Sequence, residues 1–329
     1  MSGRDLRSLP KAELHLHLSG AMRPGTLVQF AAAAGVSPPD PRRFTTFAEF
    51  GDIYQAAFEL TCTRPENLLR LVREIVADAA ADGAIWVQPQ FDPHTMPAFG
   101  PPEQVVEMVL TAGRDEGARL GVGFGLTMAA VRGLGPEAAV TVARFAARYA
   151  DDGIHAFGLV GDEAAIPNEP FAGAFAIARE AGLTAAPHAG ELAGPASVRA
   201  AVAQLGARRI AHGVRAAEDP EVVALLAERE VTLDVSLSSN RALGVFPDLT
   251  RHPLPGLLAA GVRCSLGADD PLMFGSGLLA EYEVARAELG LTDGQLAGLA
   301  RTSVETSGAP AGLIAAATAG IENWRAVPA

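Results

Sequence analysis

The chain has 329 residues, 49% of them apolar, which is enough for one large α/β barrel or for two ordinary domains. Its formal net charge of −12 argues against a polyanionic partner such as nucleic acid and favours small substrates. Cys62 and Cys264 are the only cysteines and lie far apart, which argues against a disulfide framework or a cysteine zinc site. The opening residues lack the apolar core of a signal peptide, and no apolar run long enough to span a membrane follows. The sequence therefore predicts a cytoplasmic protein without a membrane segment.

In Glu13-Leu-His-Leu-His-Leu-Ser-Gly20 apolar residues alternate with two imidazoles, the period of a β-strand, predicted over 13–18. His15 and His17 then project from one face, where two neutral imidazoles can hold a divalent metal. A helix is predicted over 24–34, with Pro24 in its first turn, and Pro38-Pro-Asp-Pro41 breaks the chain. A second helix spans 47–61, with Phe47, Phe50, Tyr54 and Phe58 on one face. That stripe reads as core packing in preference to a substrate lid. A third spans 65–82.

Beyond this point the pattern is regular. Strands are predicted at 84–91, 121–128, 155–161, 183–189, 209–214, 232–237 and 263–268. Helices fall at 102–119, 136–150, 170–181, 195–205, 219–229 and 253–260, and others fill the chain beyond 278. Eight short strands, each followed by helix, predict an α/β fold of the (β/α)8 TIM-barrel type. An open doubly wound sheet is the runner-up, and the lack of a Gly-rich phosphate fingerprint after the first strand counts against it. No linker or longer repeat divides the chain. Residues 1–329 read as one domain, with 19–83 a helical insertion after strand 1 over the barrel mouth.

In such a barrel the reacting groups sit where strands end and loops begin. Those positions hold His15, His17 and Ser19, then Gly161-Asp162-Glu163, His188-Ala-Gly-Glu191, His212-Gly213, Ser238-Ser-Asn240 and Asp269-Asp270-Pro271. Four of the seven histidines fall in this set; His94, His155 and His252 read as structural or surface residues. His15, His17 and His188 supply three nitrogens and Asp269 an oxygen, a donor set for catalytic zinc with one position left for water. His212 is placed to orient that water, Glu191 to act as general acid or base, and Asp270 to contact substrate. Each fragment alone has a bland explanation, such as a turn or a satisfied buried histidine. Their order on successive strands carries the signal.

Taken together, these residues resemble the adenosine deaminase family of the amidohydrolase superfamily. The matching stretches are Leu9–Gly20, Gly161–Glu163, His188–Glu191, Ala211–Gly213, Ser239-Asn240 and Ser265–Leu272. The resemblance implies a metal-dependent barrel with one Zn2+ per chain, held by His15, His17, His188 and Asp269. It implies hydrolytic deamination at C6 of an adenine base. Glu191 would protonate N1, His212 and Asp269 would orient the zinc-bound nucleophile, Asp270 would hydrogen-bond N7, and the Gly161 N–H would hold N3. The implied partner is a small purine nucleoside. The oligomeric state is left open.

Two departures from the family pattern bear on the substrate. Members acting on adenosine usually carry Asp where this chain has Ser19, and members acting on free adenine usually carry Glu. Ser19 is small and neutral, which implies a pocket open at the 5′ end of the sugar. Such a pocket suits a nucleoside with a bulky or acidic 5′ extension, such as 6-aminodeoxyfutalosine, whose benzoate Arg23 could meet, a structural surface arginine being the other reading; the implied substrate is adenosine or such a 5′-modified analogue. Free adenine is the alternative substrate. The second departure is Asp234-Val-Ser-Leu-Ser238 in place of a Cys-Pro pair, where a packing change is expected. Amide or ester hydrolysis and a non-catalytic nucleoside-binding barrel are the remaining alternatives. Lys11, the only lysine, precedes the first strand, which removes a binuclear site bridged by a carboxylated lysine. The Cys pair of nucleic-acid deaminases is missing.

Overall fold

Strands rich in Ala, Val, Leu and Phe, buried on both faces, can survive only with helices packed around them, and the chain supplies both. The computed structural model describes residues 3–150 and 152–327. Its strands are β1 Lys11–Glu13, β2 Ala84–Val87, β3 Gln90–Phe91, β4 Gly123–Phe124, β5 Leu126–Val131, β6 Ile154–Val160, β7 Thr184–Ala189, β8 Arg209–His212, β9 Thr232–Val235 and β10 Arg263–Leu266. All pair in parallel, in the orders β1-β2-β4 and β10-β9-β8-β7-β6-β5-β3.

Ten strands occupy eight barrel positions because two are interrupted. Pro89, which has no N–H to give a ladder, separates β2 from β3, and Gly125 separates β4 from β5. The ladder resumes beyond each break, through Gly125 N to Val87 O (3.1 Å) and Thr127 N to Pro89 O (3.0 Å). The ring closes through residues 16–18. His17 N donates to Asp269 O (2.9 Å) and Asp269 N to His15 O (2.8 Å) on one side. On the other, Gln90 N donates to Leu16 O (2.7 Å) and Leu18 N to Gln90 O (3.1 Å). The fold is the α/β TIM barrel expected from the βα period.

The strand predicted over 13–18 is corrected in one respect: the regular ladder covers Lys11–Glu13, and beyond it only Leu16 and His17 make bridges. The cause is the Glu13 carboxylate. It accepts from His15 N (3.1 Å) and Ala268 N (3.1 Å), standing in for the neighbouring strand at the point where the backbone bends. The strand predicted over 121–128 starts later, because Gly121, at φ 75°, ends the preceding helix. The helix predicted over 195–205 is α-helical to Ala200 and finishes as a π turn, Ala201–Leu205.

Between β1 and β2 lie α1 Pro24–Ala34, α2 Phe47–Thr61 and α3 Pro65–Ala81, close to the predicted ranges. A reciprocal cap starts α2: Glu49 N donates to Thr46 Oγ1 (3.2 Å), and Thr46 N to Glu49 Oε2 (3.2 Å). A short helix, Leu237–Ala242, follows β9 directly, where the sequence suggested only the end of a strand. The buried Glu281 carboxylate caps it, accepting from Leu237 N (2.6 Å) and Ser238 N (3.3 Å). Among the described residues no helix is long and apolar enough to cross a membrane.

Candidate active site

Four donor atoms from distant parts of the chain meet at the C-terminal rim. His188 Nε2 lies 3.2 Å from His15 Nε2 and 3.2 Å from His17 Nε2; Asp269 Oδ1 lies 3.4 Å and 3.2 Å from the same two atoms. Ligands about 2.0–2.1 Å from a zinc ion stand roughly 3.3 Å from their neighbours, and these four separations match that spacing. Burial, and then the neighbouring imidazoles, lower the pKa of His188; His15 is lowered chiefly by burial. Both rings are neutral at pH 7, as ligands must be.

The His15 ring and the main chain at His188 are held from behind. His15 Nδ1 donates to Asp234 O (3.0 Å), which leaves Nε2 free for a metal. Asp234, in the stretch that departs from the family pattern, is itself gripped by Arg209 (2.7 and 2.9 Å) and by Ser265 Oγ (2.6 Å). The buried Arg132 guanidinium donates to His188 O (2.7 Å), Asn168 Oδ1 (2.7 Å) and Ile166 O (2.9 Å). Asp269 takes a left-handed φ of 61°, an uncommon conformation for an aspartate that marks a site under strain. His212 does the same at 65°.

The remaining predicted groups surround this quartet. His212 Nε2 lies 3.4 Å from Glu191 Oε2 and 3.8 Å from Asp269 Oδ2, and its ring centroid is 4.6 Å from that of His15. Burial, and then His15, push the His212 imidazole down to about 3, so it too is neutral. Burial, then Asp269 and Glu163, raise the Glu191 carboxyl well above its ordinary value. Asp270 is raised by burial and by Asp269, and its Oδ1 is buried without a partner. Gly20 is obligatory beside it: a Cβ there would stand 1.6 Å from Asp270 Oδ1.

Glu163 was legible only as part of a motif, and the structure shows its task. Its carboxylate accepts from the N–H groups of Gly190 (2.9 Å), Glu191 (2.6 Å), Leu192 (2.8 Å) and Ala193 (3.0 Å), fixing the loop that carries Glu191. A carboxylate with four backbone donors is a strong anchor.

A cavity of about 370 Å3 opens above the quartet, and Ser19, Gly161, Glu191, His212 and Asp270 line it. The α2 stripe is corrected here. Phe47, Phe50, Tyr54 and Phe58 are half-buried and form the cavity wall, with Phe50 stacked on Phe274 at 5.5 Å. Helical spacing alone cannot tell a core face from a cavity face, since both are apolar. Arg23 is the second correction. Its guanidinium is bound to Asp78 (2.6 Å), it is 45% exposed, and it lines a separate cavity beneath α3. Among the described residues no lysine or arginine lines the cavity over the quartet. Asp92 and Gln90, unnoticed in the sequence, do line it, and Asp92 Oδ2 and Gln90 Oε1 are buried acceptors without partners.

A family model described as adenosine deaminase matches residues 10–322. The chain belongs to the adenosine deaminase family. It is similar to a Streptomyces virginiae protein named "Putative adenosine/adenine deaminase", 46% identical with 98% of each chain covered. An aminodeoxyfutalosine deaminase of Acidothermus cellulolyticus is 36% identical over 87% of this chain and 84% of that protein. The crystal structure of an adenine deaminase from Arthrobacter aurescens superposes with a TM-score of 0.89, at 28% identity, over 97% of this chain and 99% of the other. The protein is accordingly a hydrolytic aminohydrolase of a metal-dependent family, and two overlapping groups of side chains here could hold a metal ion: His15, His188, His212 and Asp269, and His17 with Asp269 and Asp270.

Proposed function

We propose that the protein deaminates an adenine nucleoside at C6, using one zinc ion held by His15, His17, His188 and Asp269. The observation that carries this is that His17, His188 and Asp269, with His15 Nε2 3.2 Å from His188 Nε2, line the same cavity as Glu191, His212 and Asp270. When bound, zinc lowers the pKa of water from about 15.7 to about 7 and so makes a nucleophile available at neutral pH. The chain's own groups do the rest. Protonated Glu191 delivers a proton to purine N1, which makes C6 electron-poor. Protonated Asp270 donates to N7, a nitrogen that offers only a lone pair. The N–H of Gly161, which lines the cavity, meets N3. His212 orients the nucleophile. Water adds at C6, the amino group leaves as ammonia, and the inosine-type base remains.

The cavity extends past the quartet to the α2 wall, and Ser19 neither fills nor charges the space between. That supports a substrate larger than the bare base. Without a lysine or arginine on the wall, a 5′-phosphate or benzoate has no counter-ion there, which favours a neutral nucleoside such as adenosine over 6-aminodeoxyfutalosine. Asp92 and Gln90 offer acceptors for sugar hydroxyls. Free adenine is the second reading, favoured by the similarity to an adenine deaminase over nearly the whole chain.

The test is loss of ultraviolet absorbance for adenosine, a neutral 5′-alkyl adenosine, aminodeoxyfutalosine and adenine under one set of conditions. The highest kcat/KM is expected for the two neutral nucleosides. A higher value for adenine overturns the nucleoside assignment, and a zinc-loaded enzyme inert toward all four overturns the deaminase assignment.

A further inference from the structure

Behind the active site, and outside its cavity, a chain of hydrogen bonds runs from a backbone amide to His212. Leu254 N donates to His252 Nδ1 (3.2 Å), His252 Nε2 meets Asn240 Oδ1 (3.1 Å), and Asn240 Nδ2 meets His212 Nδ1 (3.4 Å). All three side chains are buried, and the deamination chemistry as described uses neither Asn240 nor His252.

The direction of this chain follows from its first link. A backbone N–H can only donate, so His252 Nδ1 is an acceptor and carries no proton. Burial pushes His252 down to about 4, so the ring is neutral and its single proton sits on Nε2. That nitrogen donates to Asn240, whose oxygen must face it. The amide nitrogen of Asn240 is thereby turned toward His212 and donates to Nδ1. Reversing the Asn240 amide would leave two lone pairs facing each other at His252 Nε2.

We propose that Asn240 and His252 are positioning residues that lock His212 with its proton on Nε2. This atom faces Glu191 and Asp269, at 3.4 and 3.8 Å. Held so, His212 meets the nucleophilic oxygen as a hydrogen-bond donor and aims its lone pair; it is not the base that takes a proton from it. The short helix Leu237–Ala242 exists in part to bring Asn240 to this point, and the Glu281 cap holds its start. The inference rests on His212 facing the nucleophile. The tautomer is measured without turnover, so the two ideas can fail separately.

The experiment is long-range nitrogen–proton correlation NMR of zinc-loaded protein labelled with 15N in the histidine rings, with His212 assigned by its loss in His212→Asn. The wild type is expected to show a protonated Nε2 and a bare Nδ1 at His212. In Asn240→Asp the new carboxylate can only accept, so the proton moves to Nδ1. With it, kcat should fall by about 10²-fold and KM by no more than roughly 3-fold, as a misplaced imidazole tautomer does elsewhere. His252→Gln keeps a donor for Asn240 Oδ1 and should retain the Nε2 proton and most of kcat. His252→Leu removes the donor and should yield a mixture of tautomers. A wild-type His212 protonated on Nδ1 overturns the proposal, as does an unchanged tautomer in Asn240→Asp. Equal losses in His252→Gln and His252→Leu also overturn it. The wild-type spectrum alone decides if the variants fail to fold.

Discussion

The rim of strand ends and the α2 wall opposite face one cavity, yet they are built by opposite rules. On the rim the reacting side chains are buried, His17 only partly, and several are tied from behind: the His15 ring by Asp234, the His188 main chain by Arg132, the Glu191 loop by Glu163. Two of its backbones are held in left-handed conformations. On the wall, Phe47, Phe50 and Phe58 are half-buried and contribute rings, with Phe47 tilted against Phe50 and Phe50 stacked on Phe274. Chemistry needs donors fixed to a few tenths of an ångström, so the rim is over-determined. Recognising an apolar edge needs only area and shape, so the wall can be loose.

The largest test of this contrast is removal of a rim ligand. Asp269→Ala should lose bound zinc, read by metal analysis, and lower kcat/KM by at least about 10³-fold. Next comes Glu191→Gln, expected to keep the metal and KM while lowering kcat by about 10²–10⁴-fold. Steady-state kinetics that show full activity in this variant would reject the proton-donor role. On the wall, Phe50→Ala should raise KM by less than about 10-fold with kcat nearly unchanged, since it removes contact with substrate and not with the reacting atoms. A kcat loss there as large as on the rim would erase the distinction.

The smallest effect is one of pH on stability. His252 is neutral when folded and lowered to about 4 by burial, against about 6.5 in an unfolded chain. Between these values the unfolded state binds more protons, so stability is full above about pH 6.5 and declines as pH falls toward 4. Thermal unfolding from pH 7 to pH 4 should show a falling Tm, with a shallower slope in His252→Gln.

What the sequence made legible is what depends on local pattern. Helical period and proline placement put α1, α2 and α3 within a residue of their observed ends. The strand-end rule of barrels picked out His15, His17, His188, Glu191, His212, Asp269 and Asp270, and the structure brings them together. What it hid depends on contacts between remote residues. Glu163 reads as a loop acid until four backbone donors converge on it. Arg23 reads as a pocket cation until Asp78 is seen bound to it. The α2 stripe reads as core because an aromatic face has one pattern whether it meets other side chains or a substrate. Asp92 and His252 carry no spacing signal, since their partners are set by the fold alone.

The stretch that closes the barrel also carries its reactive centre. Residues 16–18 join the two ends of the wall of strands, through main-chain bonds to Asp269 on one flank and Gln90 on the other. An ion gripped by His15, His17 and Asp269 is then also a clasp on the hoop. Chelation should loosen amide protection first at both flanks of this join, far apart in the chain, before any helix on the outer ring feels it.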